Sequence, residues 1–198
     1  MAKEQLRFTG SGGQGVILGT IIIAEAAYMD GKNVVQSQSY GPEARGGMCK
    51  AEAIIDQDKI TYTKVTDPTL LLSLTQISFN KYVKDIHRNT VIIVDDSINV
   101  PQRVKEKQEV ISLPIIHSAK EIIKNPMASN IISVGAVNEA LKLASEKSLE
   151  AAVLNHVPKG TEELNVRAMK LGAELVKIYR GEIKPEAKKE STVRKKEA

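Results

Sequence analysis

Apolar and polar positions alternate from Leu6 to Thr9, the run Gly10–Gly15 (GSGGQG) breaks the alternation, and Val16–Met29 follows with helix formers and few breakers. That order predicts strand, glycine turn, helix. Gly31 ends the helix and Asn33–Ser37 (NVVQS) is the next strand, so the three elements should form a βαβ unit with parallel strands and a right-handed crossover. Gln38–Gly47 (QSYGPEARGG) holds three glycines and a proline and is expected to be a loop. Ala51–Asp56 and Ile60–Val65 alternate on either side of a polar turn, which predicts a hairpin or an edge addition to the sheet. Leu70–Leu74 and Val91–Val94 are continuous apolar runs, the mark of strands buried on both faces, with a helix expected over Gln76–Ile86 between them.

Glu109–Leu113 adds a further strand. Pro114 should start a helix running to Lys124, which Asn125-Pro126 breaks. Helices are expected over Ile131–Ala144, Ser148–Leu154 and Glu162–Tyr179; in the last, Leu164, Ala168, Leu171, Leu175 and Ile178 recur every three or four residues. The predicted fold is α/β: a Rossmann-like, three-layer, mostly parallel sheet with an added hairpin or edge strands and C-terminal helices. Residues 1–180 should make one domain. Residues 181–198 lack apolar periodicity and are expected to be a charged, disordered tail.

Composition narrows the function. The 198 residues carry a net charge of +4, and the segment from Gly181 onward, with six basic and four acidic residues, supplies half of it. The rest is close to neutral, with five Tyr, two Phe and no Trp, which argues against a nucleic-acid face. Cys49 is the only cysteine, so neither an internal disulfide nor a four-thiolate cluster can form from this chain. The N-terminus lacks the apolar stretch of a signal peptide, and the most apolar segment, VILGTIIIAEAA, contains Glu25 and is too short to span a bilayer. No membrane association and a cytoplasmic location are expected.

Gly10-Ser11-Gly12-Gly13-Gln14-Gly15 fits G-x-G-x-x-G in the strand-to-helix setting that this motif needs. Bare glycines there let backbone N–H groups and the positive end of the helix approach an anion, although the same glycines could serve only a tight turn. A dinucleotide site would want an acid at the end of the second strand, and NVVQSQSY has none. A phosphate loop of the nucleotide-hydrolase kind would want Lys and Ser or Thr where Val16 and Ile17 stand. The second loop, with Ser37, Gln38 and Arg45, should emerge at the same sheet edge; Arg45 could grip phosphate or carboxylate, or be a surface or subunit ion pair. Asp95-Asp96-Ser97 is better read as a cap or turn than as a Mg²⁺ site, and His87, His117 and His156 show no metal-ligand spacing. Cys49 has no neighbouring base and reads as an inert thiol. Asn130 caps a helix or contacts a ligand loop, with capping the favoured role. No catalytic or metal-ligating residue stands out.

Taken together, GSGGQGVILGTIIIAEAA, QSQSYGPEARGG, NPMASNIISVGAVNEALKL and ELNVRAMKLGAELV closely resemble the gamma subunit of 2-oxoacid:ferredoxin oxidoreductases, in order from about Leu6 to Lys177. The second segment is most similar to the 2-oxoglutarate branch. The resemblance implies a multisubunit anaerobic enzyme that decarboxylates a 2-oxoacid, captures the acyl group on coenzyme A and reduces ferredoxin, or runs in reverse as a reductive carboxylase. It also implies alpha, beta and delta partner subunits that carry thiamine diphosphate, Mg²⁺ and iron–sulfur clusters, and, since the equivalent domain of the fused single-chain relatives is linked to coenzyme A, it implies coenzyme A as the ligand this subunit could touch. By motif position, Gly12, Gly13, Gln14 and Gly15, with Ser37, Gln38 and Arg45, are the candidate contacts. A stand-alone dinucleotide module and a scaffold with no ligand of its own are the alternatives.

Overall fold

A computed structural model describes residues 3–40, 47–87 and 89–185, with the backbone alone at Tyr40. In chain order the elements are β1 (Glu4–Ser11), α1 (Val16–Met29), β2 (Asn33–Tyr40), β3 (Met48–Asp56), β4 (Leu70–Ser73), α2 (Gln76–Tyr82), β5 (Val91–Asp95), α3 (Gln102–Lys105), β6 (Glu109–Leu113), α4 (Ile115–Glu121), α5 (Ser129–Leu141), α6 (Glu146–His156) and α7 (Glu162–Tyr179), with 3₁₀ turns at Val83–Asp85 and Pro126–Ala128. The six strands form one sheet in the order β2-β3-β1-β4-β5-β6. β1, β4, β5 and β6 are parallel neighbours, whereas β3 runs antiparallel to both β1 and β2.

The expected pairing of Ala51–Asp56 with Ile60–Val65 is corrected here, while the added antiparallel strands are present as the β2–β3 pair at one side of the sheet. β3 lies inside the sheet, between β1 and β2, and Ile60–Val65 is no strand among the described residues. Ala51, Ala53, Ile54 and Ile55 are all buried, as a strand covered on both faces requires. β1 and β2 do point the same way, but they do not pair with each other. The stretch before β4 is held instead by β1, where Val65 O accepts from Arg7 Nη2 at 3.3 Å and Gln5 Oε1 accepts from Thr66 N at 3.0 Å.

On one face of the sheet Leu6, Phe8, Ala51, Ala53, Ile55, Leu70, Leu72 and Ile93 bury against Ile22, Ile23 and Ala26 of α1, Val134 and Val137 of α5, and Ala168 and Val176 of α7. On the other face Ile92 and Val94 meet Phe79 of α2, together with Ile98 and Val100. This gives three layers with unequal helical cover. Where that second face crosses β1 and β3 it is ionic: Arg7 Nε donates to Glu52 Oε1 at 2.7 Å, and Lys50 Nζ reaches Glu52 Oε2 at 3.0 Å. Arg7 and Glu52 side chains are 7% and 6% exposed, so their charges are compensated within this network, Arg7 by Glu52, Val65 O and Asp85, and Glu52 by Arg7 and Lys50.

α5 and α7 approach closely through two glycines: a Cβ at Gly135 would lie 1.9 Å from Met169 O, and one at Gly172 would lie 1.9 Å from Ile132 O. α6 begins at the Ser145 cap, whose hydroxyl accepts from Ser148 N, and Asp30 binds that turn from the end of α1 by accepting from Ser145 N and Ser148 Oγ. These bonds, from the Ser148 hydroxyl foremost and then the Ser145 N–H, hold the Asp30 carboxyl below the usual aspartate range. No helix among the described residues is long and apolar enough to cross a membrane. Of the expected tail, residues 186–198 lie outside the described residues.

Candidate functional site

The turn from β1 into α1 is built by its own short bonds. Ser11 N donates to Gln14 Oε1 at 2.7 Å, Gln14 N donates to Ser11 O at 3.2 Å, and Gly12 N donates across to Gly47 O at 2.9 Å. Gly13 and Gly15 take φ of 91° and 67°, a region where a side chain would be strained, so glycine is required there. Gly12 and Gly13 are exposed at the tip and Gln14 and Gly15 half-buried beneath it. α1 starts at Gly15 with no side-chain cap and no acidic residue in its first turn, so its leading N–H groups keep their positive character.

Register places the glycine turn, Tyr40 and Gly47 at the same end of the sheet. Cys49 of β3 is paired with Gly10 on one side and with Tyr40 on the other, so the carboxyl ends of β1 and β2 flank the start of β3. The strand β2 runs on to Tyr40, so Ser37 and Gln38 belong to the strand and not to the loop. Ser37 lies opposite Glu52 and Gln38 opposite Ala51, three and two residues short of that end, about 10 and 7 Å back along the strand. Arg45 falls within residues 41–46, outside the described residues.

Asn130 joins this site from α5. It is not the N-cap, a position Ala128 holds; it is the second residue of α5, buried against Gly15. The favoured N-cap is thus corrected: the side chain touches the glycine turn, and its Oδ1 accepts from Ile131 N within the first turn of α5. Asp95 is the cap instead: its Oδ1 accepts from Ser97 N at 3.1 Å and its Oδ2 from Ile116 N at 2.8 Å, closing the start of α4. His156 pairs with Glu25, which also accepts from Asn155 Nδ2, and so ties α6 to α1. Burial pushes the Cys49 thiol up, consistent with an unreactive sulfur. Among the described residues no group of three or more His, Cys, Asp or Glu could hold a metal ion.

The donor set at the glycine turn is thus backbone amides plus one side-chain amide, which suits an anion and offers nothing to a cluster. A dinucleotide is a poor fit. The strand beside β1 on this side is the antiparallel β3, so the sheet lacks the parallel neighbour whose end carries the ribose-binding acid in dinucleotide folds.

Residues 5–175 match the family model for pyruvate ferredoxin/flavodoxin oxidoreductase. The chain is 40% identical over 177 residues to 2-oxoglutarate synthase subunit KorC of Methanocaldococcus jannaschii, a match covering 88% of this chain and 95% of that protein. The solved gamma subunit of the keto/oxoacid ferredoxin oxidoreductase from Geobacter sulfurreducens superposes with a TM-score of 0.80 at 37% identity, over 89% of this chain and 97% of that one. The 2-oxoglutarate:ferredoxin oxidoreductase of Magnetococcus marinus, solved with 2-oxoglutarate, coenzyme A and succinyl-CoA, contains the same fold within 31% of its chain, with a TM-score of 0.81 at 21% identity. On this agreement of sequence and fold, the chain belongs to the pyruvate ferredoxin/flavodoxin oxidoreductase family, as a gamma-type subunit of a 2-oxoacid:ferredoxin oxidoreductase.

Proposed function

We propose that this chain is the gamma subunit of a cytoplasmic 2-oxoglutarate:ferredoxin oxidoreductase, assembled with alpha, beta and delta subunits, and that residues 1–180 act there as one unit. The enzyme decarboxylates 2-oxoglutarate, transfers the succinyl group to coenzyme A and passes the electrons to ferredoxin. The 40% identity to a 2-oxoglutarate synthase subunit along nearly its whole length supports the substrate. Thiamine diphosphate with Mg²⁺, and the iron–sulfur clusters, belong to the partners, a division that suits a chain with a single cysteine.

The part played by this subunit is assembly and contact with coenzyme A. The observation that carries it is the uncapped start of α1 behind two exposed glycines, a place where phosphate oxygens can meet backbone N–H groups. Gly12, Gly13, Gln14 and Gly15 form the inner contact, with Ser37, Gln38 and Arg45 as contributors from the second segment. Gly13→Asp tests this in the assembled enzyme when compared with Gly13→Asn, which shares the backbone strain of a side chain at φ 91° and lacks the charge. No atom lies within 4 Å of where its Cβ would stand, so the carboxylate projects into the mouth and repels an anion. The KM for coenzyme A should rise at least tenfold, equivalent to about 1.4 kcal/mol, with the KM for 2-oxoglutarate unchanged. An unaltered KM for coenzyme A overturns the contact.

A scaffold with no ligand is the second reading. It is favoured by the two groups that the turn spends on itself, the Gly12 N–H on Gly47 O and the Gln14 amide oxygen on Ser11 N. Under that reading the same variant, or Arg45→Ala, releases the subunit from its partners and leaves the kinetics of the remaining intact enzyme untouched.

A further inference from the structure

We propose that two copies of this chain join through the free edge of β2 about a twofold axis, so that their sheets run on into one and their α1 helices pack across the seam. β2 is the end strand of the sheet, bonded to β3 alone among the described residues. Every second residue of an end strand turns its N–H and C=O outward, so this eight-residue strand offers a long unpaired ladder. Such edges are commonly blunted by Pro, by charge or by a bulge. NVVQSQSY has neither Pro nor charge and pairs with β3 residue for residue. The opposite edge is guarded: β6 is five residues long, Tyr179 OH donates to Val110 O at 2.6 Å, and Arg180 Nη2 donates to Glu109 Oε1 at 2.9 Å.

α1 supplies the second half of this surface. It lies over β1, β2 and β3, and its Gly15 and Gly19 face Asn130 and Val134 of α5, on the side away from β2. Ile17, Ile21, Ala24 and Tyr28, spaced three or four apart, occupy the opposite flank and look out over the β2 edge. Ile17 and Ile21 are half-buried and Tyr28 is 71% exposed. α1 carries a single charge, Glu25, and a helix apolar on every side belongs in an interior. Below this flank Gln36, aligned with the buried Ala53, lies on the α1 face of β2, and its Nε2 is enclosed without a hydrogen-bond partner.

A second copy is the occupant that covers both parts at once. α1 ends at Met29 and β2 starts at Asn33, so helix and strand run beside each other over the same span. A twofold axis through Gln36, normal to the sheet, sets the two strands antiparallel with their α1 faces on one side. Gln36 then opposes its own copy, Val34 opposes Gln38 and Val35 opposes Ser37, with no like charges across the seam. The two helix flanks meet antiparallel above it, Tyr28 of one beside Ile17 of the other, and each Gln36 amide gains the other's carbonyl as acceptor. One patch thus complements itself, as a twofold contact requires. A single foreign strand would pair with the edge and leave the helix flank bare.

Sedimentation velocity of the full chain at micromolar concentration should give twice the monomer mass. Gln36→Lys and Gln36→Glu each set like charges opposite one another, with Cβ atoms about 4.5–5.5 Å apart, and each should give monomer. Their equimolar mixture should regain the dimer, because lysine then meets glutamate. Tyr28→Glu, at an exposed position that leaves the fold intact, should raise the dimer Kd at least tenfold. In the assembled enzyme, Gln36→Cys treated with a short bis-maleimide should give a band of two linked copies of this chain, whereas Val34→Cys, whose copies would stand about 14 Å apart, should not. A monomeric wild type with no linked band in the assembled enzyme overturns the pairing and leaves the edge to a strand of another subunit. A dimer that survives both Gln36→Lys and Tyr28→Glu, or a charge-swapped mixture that stays monomeric, overturns the seam.

Discussion

Gly135→Ala should unfold this protein at a lower temperature although it adds only one methyl group and improves helix propensity. The Cβ would stand 1.9 Å from Met169 O, against an ordinary contact of 3.4 Å, so α5 and α7 must part by the difference, 1.5 Å, along that line. The obstacle is backbone, which cannot swing aside, and the surrounding Ile132, Ala136, Ala168, Met169 and Val176 are all buried and lose contact together. Overpacking of this kind costs about 3 kcal/mol, the upper end of its usual range, and the gain of alanine over glycine in a helix returns about 0.5–1 kcal/mol. The net loss of about 2 kcal/mol corresponds to about 4–8 °C in Tm for a chain of this size. Thermal unfolding of the full chain followed by circular dichroism measures it. Gly19→Ala in α1 is the control: its Cβ would find Val134 Cγ2 at 3.4 Å and Phe8 at 3.6 Å, so the propensity gain should survive and Tm should hold or rise. A Gly135→Ala protein that melts at or above wild type refutes the argument. Gly135→Ala combined with Gly172→Ala should cost less than the sum, because both open the same interface.

Two further outcomes are expected. Arg7→Met leaves the Glu52 carboxylate with Lys50 as its remaining partner, and Glu52→Gln leaves the guanidinium with Val65 O and the exposed Asp85; each should cost about 3 kcal/mol in denaturant unfolding, and the paired Arg7→Met/Glu52→Leu variant should cost less than the sum, whereas an additive pair would show the two charges to be independent. Asp30 has a folded pKa below its ordinary value, so its contribution is complete above the normal aspartate range and vanishes as pH falls through the depressed folded value. The stability difference between wild type and Asp30→Asn should therefore be flat near neutrality and close in acid, while Ser148→Ala should move the Asp30 titration, followed by NMR, upward; an unmoved titration would rule out the serine hydroxyl as its cause.

Local pattern carried much of this fold. Glu162–Tyr179 and Glu109–Leu113 begin and end where periodicity and apolar continuity place them, and the glycine turn sits between strand and helix as its composition requires. What pattern could not supply was partnership. Ala51–Asp56 alternates well enough to suggest half of a hairpin, and only its pairing with Leu6–Ser11 on one side and Asn33–Tyr40 on the other shows it to be interior. β2 extends past Ser37 for the same reason: Gln38 and Ser39 are poor strand formers that remain extended because Ala51 and Lys50 bond them. Asn130 shows the limit within the site. A lone Asn at a helix start signals a cap, and nothing local reveals that its side chain lies on a glycine 115 positions earlier (130 − 15). Gly135 and Gly172 look like weak points of their helices until the two helices are seen to cross.

The antiparallel strand between β1 and β2 sets an order on how the chain can be made. When residues up to Tyr40 have left the ribosome, two strands that will never bond one another are present alone, pointing the same way and joined by a helix suited to bring them edge to edge. Any direct parallel pairing between them would have to reopen to admit the third strand. Slow synthesis through this region would favour the wrong pairing, and rapid arrival of Met48–Asp56 the right one.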